Sequence, residues 1–270
     1  MRKYVIMLAL MAVTMTASAQ KNAENSKFVI DYNATFTVGA DEGLKDDEMI
    51  LIIGDNTSMF LSKRAERDQF VKDSIMEAGG SPMDFIAAKQ KMPHKTLQNY
   101  AVFKNIPEGN LTYTTEMGKS LKYEEKMPEI TWNYEDGDTI IAEYPCQKAT
   151  TDFMGRHWTV WYTMEIPVSD GPWKLNGLPG LIMAACESDG YFSFECSGVT
   201  NLTTRKIEIP KKNYMKVTPK KLQEMVAMSK NDIKGFISQI AGIKIDELKD
   251  QNGNEVKEEH HKIVFIDVID

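Results

Sequence analysis

The stretch that most constrains this chain is GPWKLNGLPGLI, residues 171–182, which combines three glycines and two prolines with a tryptophan and three leucines. Leu178–Leu181 predicts a type II turn, because Pro179 presets the first central position and Gly180 accepts a positive φ at the second. Asn176–Gly177 adds another corner just before it. The chain is therefore expected to turn sharply here while still presenting apolar side chains.

Two interpretations of this apolar corner are open. In the first, it folds a loop back over a sheet and begins the next strand, with Gly177, Pro179 and Gly180 as the turn residues. In the second, it forms the rim of an apolar cavity in which a ligand or partner docks. The rim residues of the second interpretation are Trp173, Leu175, Leu178, Pro179 and Leu181. Exposed side chains would favour the rim, and buried ones the structural corner.

Around the corner, short alternating segments rich in β-branched and aromatic residues indicate strands. Turn signals such as Gly54–Asn56 and Asp136–Gly137 join them, and strands joined by short turns pair antiparallel. The fold class is therefore predicted to be α+β, predominantly antiparallel β, with a curved sheet or half-barrel. Without repeats or low-complexity linkers, residues 20–270 are predicted to form a single exported β-rich domain.

Two helical regions interrupt this pattern. A helical insertion is predicted near residues 62–91, where Phe70, Ile75 and Met76 would form an apolar face and Ser81 would cap a second short helix. A packed C-terminal helix is predicted near residues 219–241, capped by Thr218 and closed by Gly242, with an apolar stripe at helical spacing. The last residues are expected to be strand-like.

The N-terminal segment, residues 1–19, has the order of a secretory signal peptide: two cations, a short apolar run and an Ala17-Ser18-Ala19 cleavage site. Once Arg2 and Lys3 are removed, 30 cations stand against 39 anions, a net charge of −9. This acidity argues against nucleic acid as a partner. No other apolar run is long enough to predict a membrane span.

The chain, which is predicted to be exported, has three cysteines: Cys146, Cys186 and Cys196. One disulfide with one free thiol and three reduced, buried cysteines are both open. A predicted hairpin turning near residues 188–190 would place Cys186 opposite Tyr191 or its neighbours, too far from Cys196 for a bridge. A disulfide would therefore involve Cys146.

Catalytic motifs are scarce. The chain has no G-x-S-x-G, H-E-x-x-H or P-loop motif. The one candidate reactive group is Cys146, His157 and Arg156, which would have to converge in a pocket. Arg156 has an alternative structural role, in which it pairs with a carboxylate such as Asp152 or Glu165 and holds strands together. Scattered histidines and dispersed methionines predict no resident metal or cofactor.

Residues 146–182, CQKATTDFMGRHWTVWYTMEIPVSDGPWKLNGLPGLI, resemble the GLPGLI family of Bacteroidota, also called the Porphyromonas-type exported protein family. The resemblance implies a Gram-negative host and a periplasmic or secreted location, but no established activity. Its resemblance to curved-sheet carriers of lipids or lipoproteins is an analogy at the level of the fold.

Three functions follow as hypotheses. The first is a non-enzymatic periplasmic binding or carrier protein for an apolar small molecule, lipid or peptide, with residues 171–182 at the rim of its cleft. The second is a hydrolase or thiol-based enzyme centred on Cys146, His157 and Arg156. The third is an accessory partner of an outer-membrane transporter, which would make an envelope protein its partner.

Overall fold

The computed structural model describes residues 24–37, 39, 42–94, 97–201, 204–245 and 262–269. The predicted signal peptide and its cleavage site lie outside the described residues.

The described residues form fourteen strands and four helices. The strands are β1 (Glu24–Asn25), β2 (Phe28–Phe36), β3 (Lys45–Ile53), β4 (Ser58–Ser62), β5 (Tyr100–Lys104), β6 (Asn110–Glu116), β7 (Ser120–Lys126), β8 (Asn133–Ile141), β9 (Tyr144–Phe153), β10 (Arg156–Thr163), β11 (Leu181–Glu187), β12 (Phe192–Asn201), β13 (Lys206–Ile207) and β14 (Met215–Lys216). The helices are α1 (Lys63–Glu77), α2 (Pro82–Gln90), α3 (Pro219–Asn231) and α4 (Ile233–Ala241).

Twelve strands form one sheet in the order β14-β7-β6-β5-β4-β3-β2-β12-β11-β10-β9-β8. Every neighbouring pair is antiparallel except β14 and β7, which run parallel. The sheet is curved and open, with β14 and β8 as its edges, and β1 pairs with β13 in a separate small sheet. The predicted α+β class with a curved, mostly antiparallel sheet is confirmed.

Alternate residues of the central strands point to opposite sides of the sheet, as strand geometry requires. We call the inner face the side that carries Ile30, Leu51, Phe60, Val102 and Leu111. The outer face carries Val29, Ile50, Ile52, Met59 and Phe103. Both faces are buried in the central strands, so β3 contains an almost continuous apolar run rather than a strict alternation.

The helical insertion is present between β4 and β5. Ser62 caps α1, and Ser81 forms a capping box with Asp84 at the start of α2. The predicted apolar face of α1 is wrong: Phe70 is 71% exposed. The helix instead buries Arg64, whose guanidinium Nη2 donates to Asp46 Oδ2 at 2.7 Å, so an ion pair fixes the side that faces the sheet.

The C-terminal helix is divided in two. Asp232 has non-helical backbone angles, ends α3 and caps α4 by accepting a hydrogen bond from Gly235 N. The predicted single helix over 219–241 is therefore wrong at this point, because an aspartate side chain competes for backbone donors as a cap does. The predicted caps at Thr218 and Gly242 are present, and Leu222 packs against strand β7.

Residues 262–269 form what we call the C-terminal strap. Ile263 makes an isolated bridge with Gly39, and Val268 N donates to Met154 O. The expectation of a strand at this end is wrong, since the strap is otherwise irregular. Three of its backbone carbonyls accept hydrogen bonds from side chains: Phe265 O and Ile266 O from Arg156, and Asp267 O from Gln223.

Candidate functional site

The apolar corner reverses the chain between β10 and β11, but by a different geometry from the predicted type II turn. Gly180 does not have a positive φ; Gly177 does, at 96°. Leu181 N donates to Ile166 O rather than to a carbonyl within the turn. Gly180 is needed for close approach, because a Cβ there would lie 2.7 Å from the carbonyl carbon of Thr163 and closer still to its oxygen. The prediction of a type II turn is therefore wrong. Gly180 instead allows two backbone segments to pack closely against each other at the corner.

The predicted rim residues do not form an open rim. Of the five, only Pro179 is exposed. The other four are at most 1% exposed: Trp173, Leu175, Leu178 and Leu181. The Trp173 ring stacks on Trp158 with centroids 5.4 Å apart. All four side chains belong to the inner-face core. The structure therefore supports the structural interpretation of the corner, and its sequence pattern reflects burial.

Two buried lysines hold the corner against the sheet. Lys104, on β5, donates from Nζ to Asp170 Oδ1 at 2.5 Å, Gly171 O at 2.6 Å and Leu175 O at 3.0 Å. Burial lowers the pKa of Lys104, and the Asp170 carboxylate opposes that shift. With all three ammonium protons engaged, Lys104 is a structural group rather than a free nucleophile.

The second lysine, Lys174, lies within the corner itself and is 1% exposed. Its Nζ is 2.6 Å from Glu125 Oε1 of β7 and 2.6 Å from Asp267 Oδ2 of the strap. The sequence contained one signal of a buried ion pair here, namely a lysine within a mostly apolar stretch. The partners lie 49 and 93 positions away, so no local pattern identifies them.

Arg156 also binds the strap. Its Nη2 donates to Phe265 O at 2.5 Å, its Nε lies 3.2 Å from Ile266 O, and its Nη1 pairs with Glu187 Oε2 at 3.2 Å. The predicted structural role is therefore present, since Arg156 pairs with a carboxylate on a neighbouring strand, but the partner is Glu187 of β11 rather than Asp152 or Glu165. Asp152 instead hydrogen-bonds Nδ1 of His157 at 2.7 Å on the other face of the strand.

The proposed reactive group does not assemble. Arg156 and His157 are adjacent on β10 and point to opposite faces. Cys146 lies seven residues along β9 from Phe153, the residue that pairs with Arg156, a distance of about 23 Å. Burial also raises the pKa of the Cys146 thiol to about 11, so at neutral pH it is not a thiolate.

The cysteines Cys146, Cys186 and Cys196 are free thiols in the structure. Of the two states expected from the sequence, the disulfide is not formed. Cys186 is exposed, so the three are not all buried either. In the β11–β12 hairpin, Cys186 pairs with Ser193, two positions beyond Tyr191, and not with Cys196.

An apolar cavity lies elsewhere on the inner face, beneath the strap. We call it the strap pocket; its volume is about 160 Å³. The sheet contributes its aromatic floor, α3 contributes Val226, and the strap contributes residues 263–266. The main sheet residues that line it are Phe36, Met49, Tyr100, Tyr113, Phe192 and Phe194.

A tyrosine ladder runs from the strap pocket toward the buried Lys174. Tyr100 stacks on Tyr113 with centroids 5.3 Å apart, and Tyr113 stacks on Tyr123 at 4.9 Å. The Lys174 ammonium lies 5.4 Å from the Tyr123 centroid, a cation–π distance. Burial raises the pKa of Tyr100, so its hydroxyl stays protonated and acts as a neutral polar group at the pocket.

Neither a metal-ligand cluster nor a membrane-spanning helix occurs in the part of the chain that the structure describes. Within those ranges, no group of three or more His, Cys, Asp or Glu side chains is arranged to hold a metal ion. No helix there has the length and apolar character needed to cross a membrane.

Comparison with known proteins gives one match to a protein family. A family model described as "Protein of unknown function (Porph_ging)" matches residues 91–184. That match includes the whole of residues 146–182, which carry the family resemblance and contain the corner. It supports the Porphyromonas-type part of the resemblance, while the GLPGLI name remains a prediction. A search of curated proteins found no match.

Among solved structures, the chain is similar to PNGF-II. In the P21 space group the TM-score is 0.51 at 14% identity, covering 76% of this chain and 34% of the PNGF-II chain. In the C2 space group the TM-score is 0.49 at 15% identity, with 76% and 33% covered. The matched region thus spans about a third of PNGF-II. At 14% identity, the match with the TM-score of 0.51 shows a similar fold only.

Proposed function

We propose that this protein is a non-enzymatic binding or carrier protein whose strap pocket takes a small apolar group. The observation that carries the proposal is the aromatic-lined cavity between the inner face, α3 and the strap. Ligand sites combine apolar walls with a few polar groups that orient the ligand. Here Gln98 and Lys230 supply polar groups among apolar neighbours.

The size of the cavity limits the ligand. Its volume of about 160 Å³ is close to that of engineered apolar cavities of about 150 Å³ that bind benzene. It is below the range of about 300–1,000 Å³ for sites that enclose drug-sized molecules. The predicted ligand classes were an apolar small molecule, a lipid and a peptide. The pocket has room for one ring or one short branched group, and therefore suits a small aromatic compound or a single side chain of a peptide.

The strap pocket is not the ligand site that the sequence predicted, which was a cleft with the corner at its rim. The corner side chains are core residues, whereas the cavity is bounded by a segment near the C-terminus. A group entering the pocket would contact strap residues whose backbone is held by Arg156 and whose Asp267 is held by Lys174. The corner therefore supports the site indirectly, by carrying one of the anchors of its cover.

The test is titration of the full chain with toluene, followed by NMR of the methionine methyl groups. We expect the Met49 methyl resonance to shift, because Met49 lines the strap pocket. Val226→Phe should fill the pocket and weaken the response at least tenfold, since a ring added from α3 occupies ligand space.

Ile140→Phe is the matched control, because Ile140 is 74% exposed on β8 and lies outside the pocket. It should retain the wild-type response. A Met49 resonance that does not move, or one that moves equally in a folded Val226→Phe protein, would rule out this binding role.

We also propose that residues 1–19 are removed on export and that residues 20–270 act as a single periplasmic or secreted domain of a Gram-negative bacterium. The sequence of the N-terminal segment supports this. Mass measurement of protein isolated from the native envelope should show Gln20 as the first residue. An envelope partner, such as an outer-membrane transporter, would co-purify in the same preparation.

A further inference from the structure

A second cavity of about 220 Å³ lies on the inner face, at the far end of strand β5 from the strap pocket. We call it the polar pocket. Its walls are the β3–β4 turn, the end of β5 and the approach to the apolar corner. The side chains that matter for its chemistry are Asp55, Ser58, Lys104, Asn105, Asp170 and Asn176.

Ser58, which lines the polar pocket, has a buried hydroxyl without a hydrogen-bond partner in the described part of the chain. Ser58 is 2% exposed, and its Oγ makes no hydrogen bond to any described residue. Ser58 pairs with Lys104 across β4 and β5, so both side chains lie on the inner face. A buried hydroxyl without a partner carries the full cost of its desolvation, which a ligand hydrogen bond or a water would remove.

The charges around the polar pocket are already paired. Lys104 has its three ammonium protons on Asp170, Gly171 O and Leu175 O. Asp55 forms an ion pair with Lys27. An added cation or anion would therefore meet a neutralised lining and would lose hydration without gaining a free counter-charge.

The amide groups at the pocket are held in fixed positions. Asn105 Nδ2 donates to Asn56 O at 2.9 Å, and Asn176 Nδ2 donates to Lys174 O at 2.9 Å. These bonds anchor the two side chains to the turn and to the corner. The wall therefore offers neutral polar groups in a rigid arrangement, which lowers the entropy cost of binding a molecule rich in hydroxyls.

We propose that the polar pocket binds a small neutral polyol, with the Ser58 hydroxyl hydrogen-bonded to it. At about 30 Å³ of liquid volume per water, the pocket has room for about seven waters, and a compact polyol would displace several of them. The corner then has a second role, because its Asn176 and the preceding Asp170 build one wall of the site.

The two pockets are separate. Tyr100 lines the strap pocket and Lys104 lines the polar pocket, four residues and about 13 Å apart along β5. Val102, between them on the same face, is fully buried in the core. One ligand cannot span both, so the proposed polyol site does not depend on the proposed apolar site.

The test is titration of the full chain with glycerol and with myo-inositol, followed by amide NMR. We expect the Ser58, Asn105 and Ser169 resonances to shift while the Met49 methyl of the strap pocket stays unchanged. Ser58→Ala should weaken the affinity about tenfold, the loss expected for one hydrogen bond, and should leave the protein folded.

Ser120→Ala, on β7 and outside both pockets, should keep the wild-type affinity. Ser58→Thr, which keeps the hydroxyl, should bind better than Ser58→Ala. The proposal is overturned if neither polyol shifts these resonances, which would mean that the pocket holds water only. It is equally overturned if Ser58→Ala binds as wild type, or if acetate or methylammonium ions bind as tightly as the polyols.

Discussion

Replacing Gly180 by alanine tests the physical basis of the corner. A Cβ at this position would lie 2.7 Å from the carbonyl carbon of Thr163 and 3.1 Å from the Cα of Met164. Both neighbours are backbone atoms. Thr163 is paired with Leu181, the residue that follows the glycine, so β10 and β11 hold the two segments together.

The magnitude follows from what must move. Overpacking a core by a methyl group costs about 1–3 kcal/mol when side chains can adjust. At Gly180 a paired backbone would have to adjust instead, and the displaced segment carries Leu178 and Leu181, both buried. We therefore expect Gly180→Ala to lower the free energy of unfolding by about 3 kcal/mol or more.

The assay is urea denaturation of Gly180→Ala beside Gly43→Ala. No atom lies within 4 Å of the position that a methyl group on Gly43 would occupy, and Gly43 needs no positive φ, so its alanine variant should be neutral or slightly stabilising. A Gly180→Ala protein within about 0.5 kcal/mol of wild type would refute the close-approach argument. Failure of Gly180→Ala to fold under conditions where Gly43→Ala folds would agree with it.

Two further predictions concern buried ionisable groups. Lys174→Met should destabilise the fold by about 3–5 kcal/mol in thermal or urea unfolding, because it leaves the buried Asp267 carboxylate without its partner; a change below about 1 kcal/mol would contradict this. For Cys146, burial raises the folded pKa to about 11 from an ordinary value of 9.0. Below pH 9 both states hold the proton, and as pH rises from 9 to 11 the unfolded state loses it first, so stability falls by at most about 3 kcal/mol across that window. For Cys146→Val, the free energy of unfolding should fall less steeply between pH 9 and 11 than for the wild type. An unchanged slope would show that the Cys146 thiol does not contribute to the pH dependence of stability.

The candidate site could be predicted only in part. The importance of residues 171–182 for the shape of the chain was visible from their glycines, prolines and leucines. Whether Trp173 faced a ligand or the core was not, because exposure depends on what covers a residue. The strap pocket was missed because its walls come from residues as far apart as Phe36 and Ile266. No motif connects such segments.

Structural features that depend on residues only a few positions apart could be predicted from the sequence alone. Ser81, Thr218 and Gly242 cap their helices through backbone groups a few positions away, and residues 54–56 turn β3 into β4. Such effects need no partner from elsewhere, so local pattern suffices.

The tertiary structure decided which buried charges meet and where space remains. Arg156 reaches the carbonyl of Phe265 across 109 positions, and Lys174 reaches Asp267 across 93. Those contacts place the strap over the inner face, and the strap in turn defines the pocket. Ion pairing and cavity volume depend on the distances between distant segments, and these are set when the sheet and its covering segments pack together.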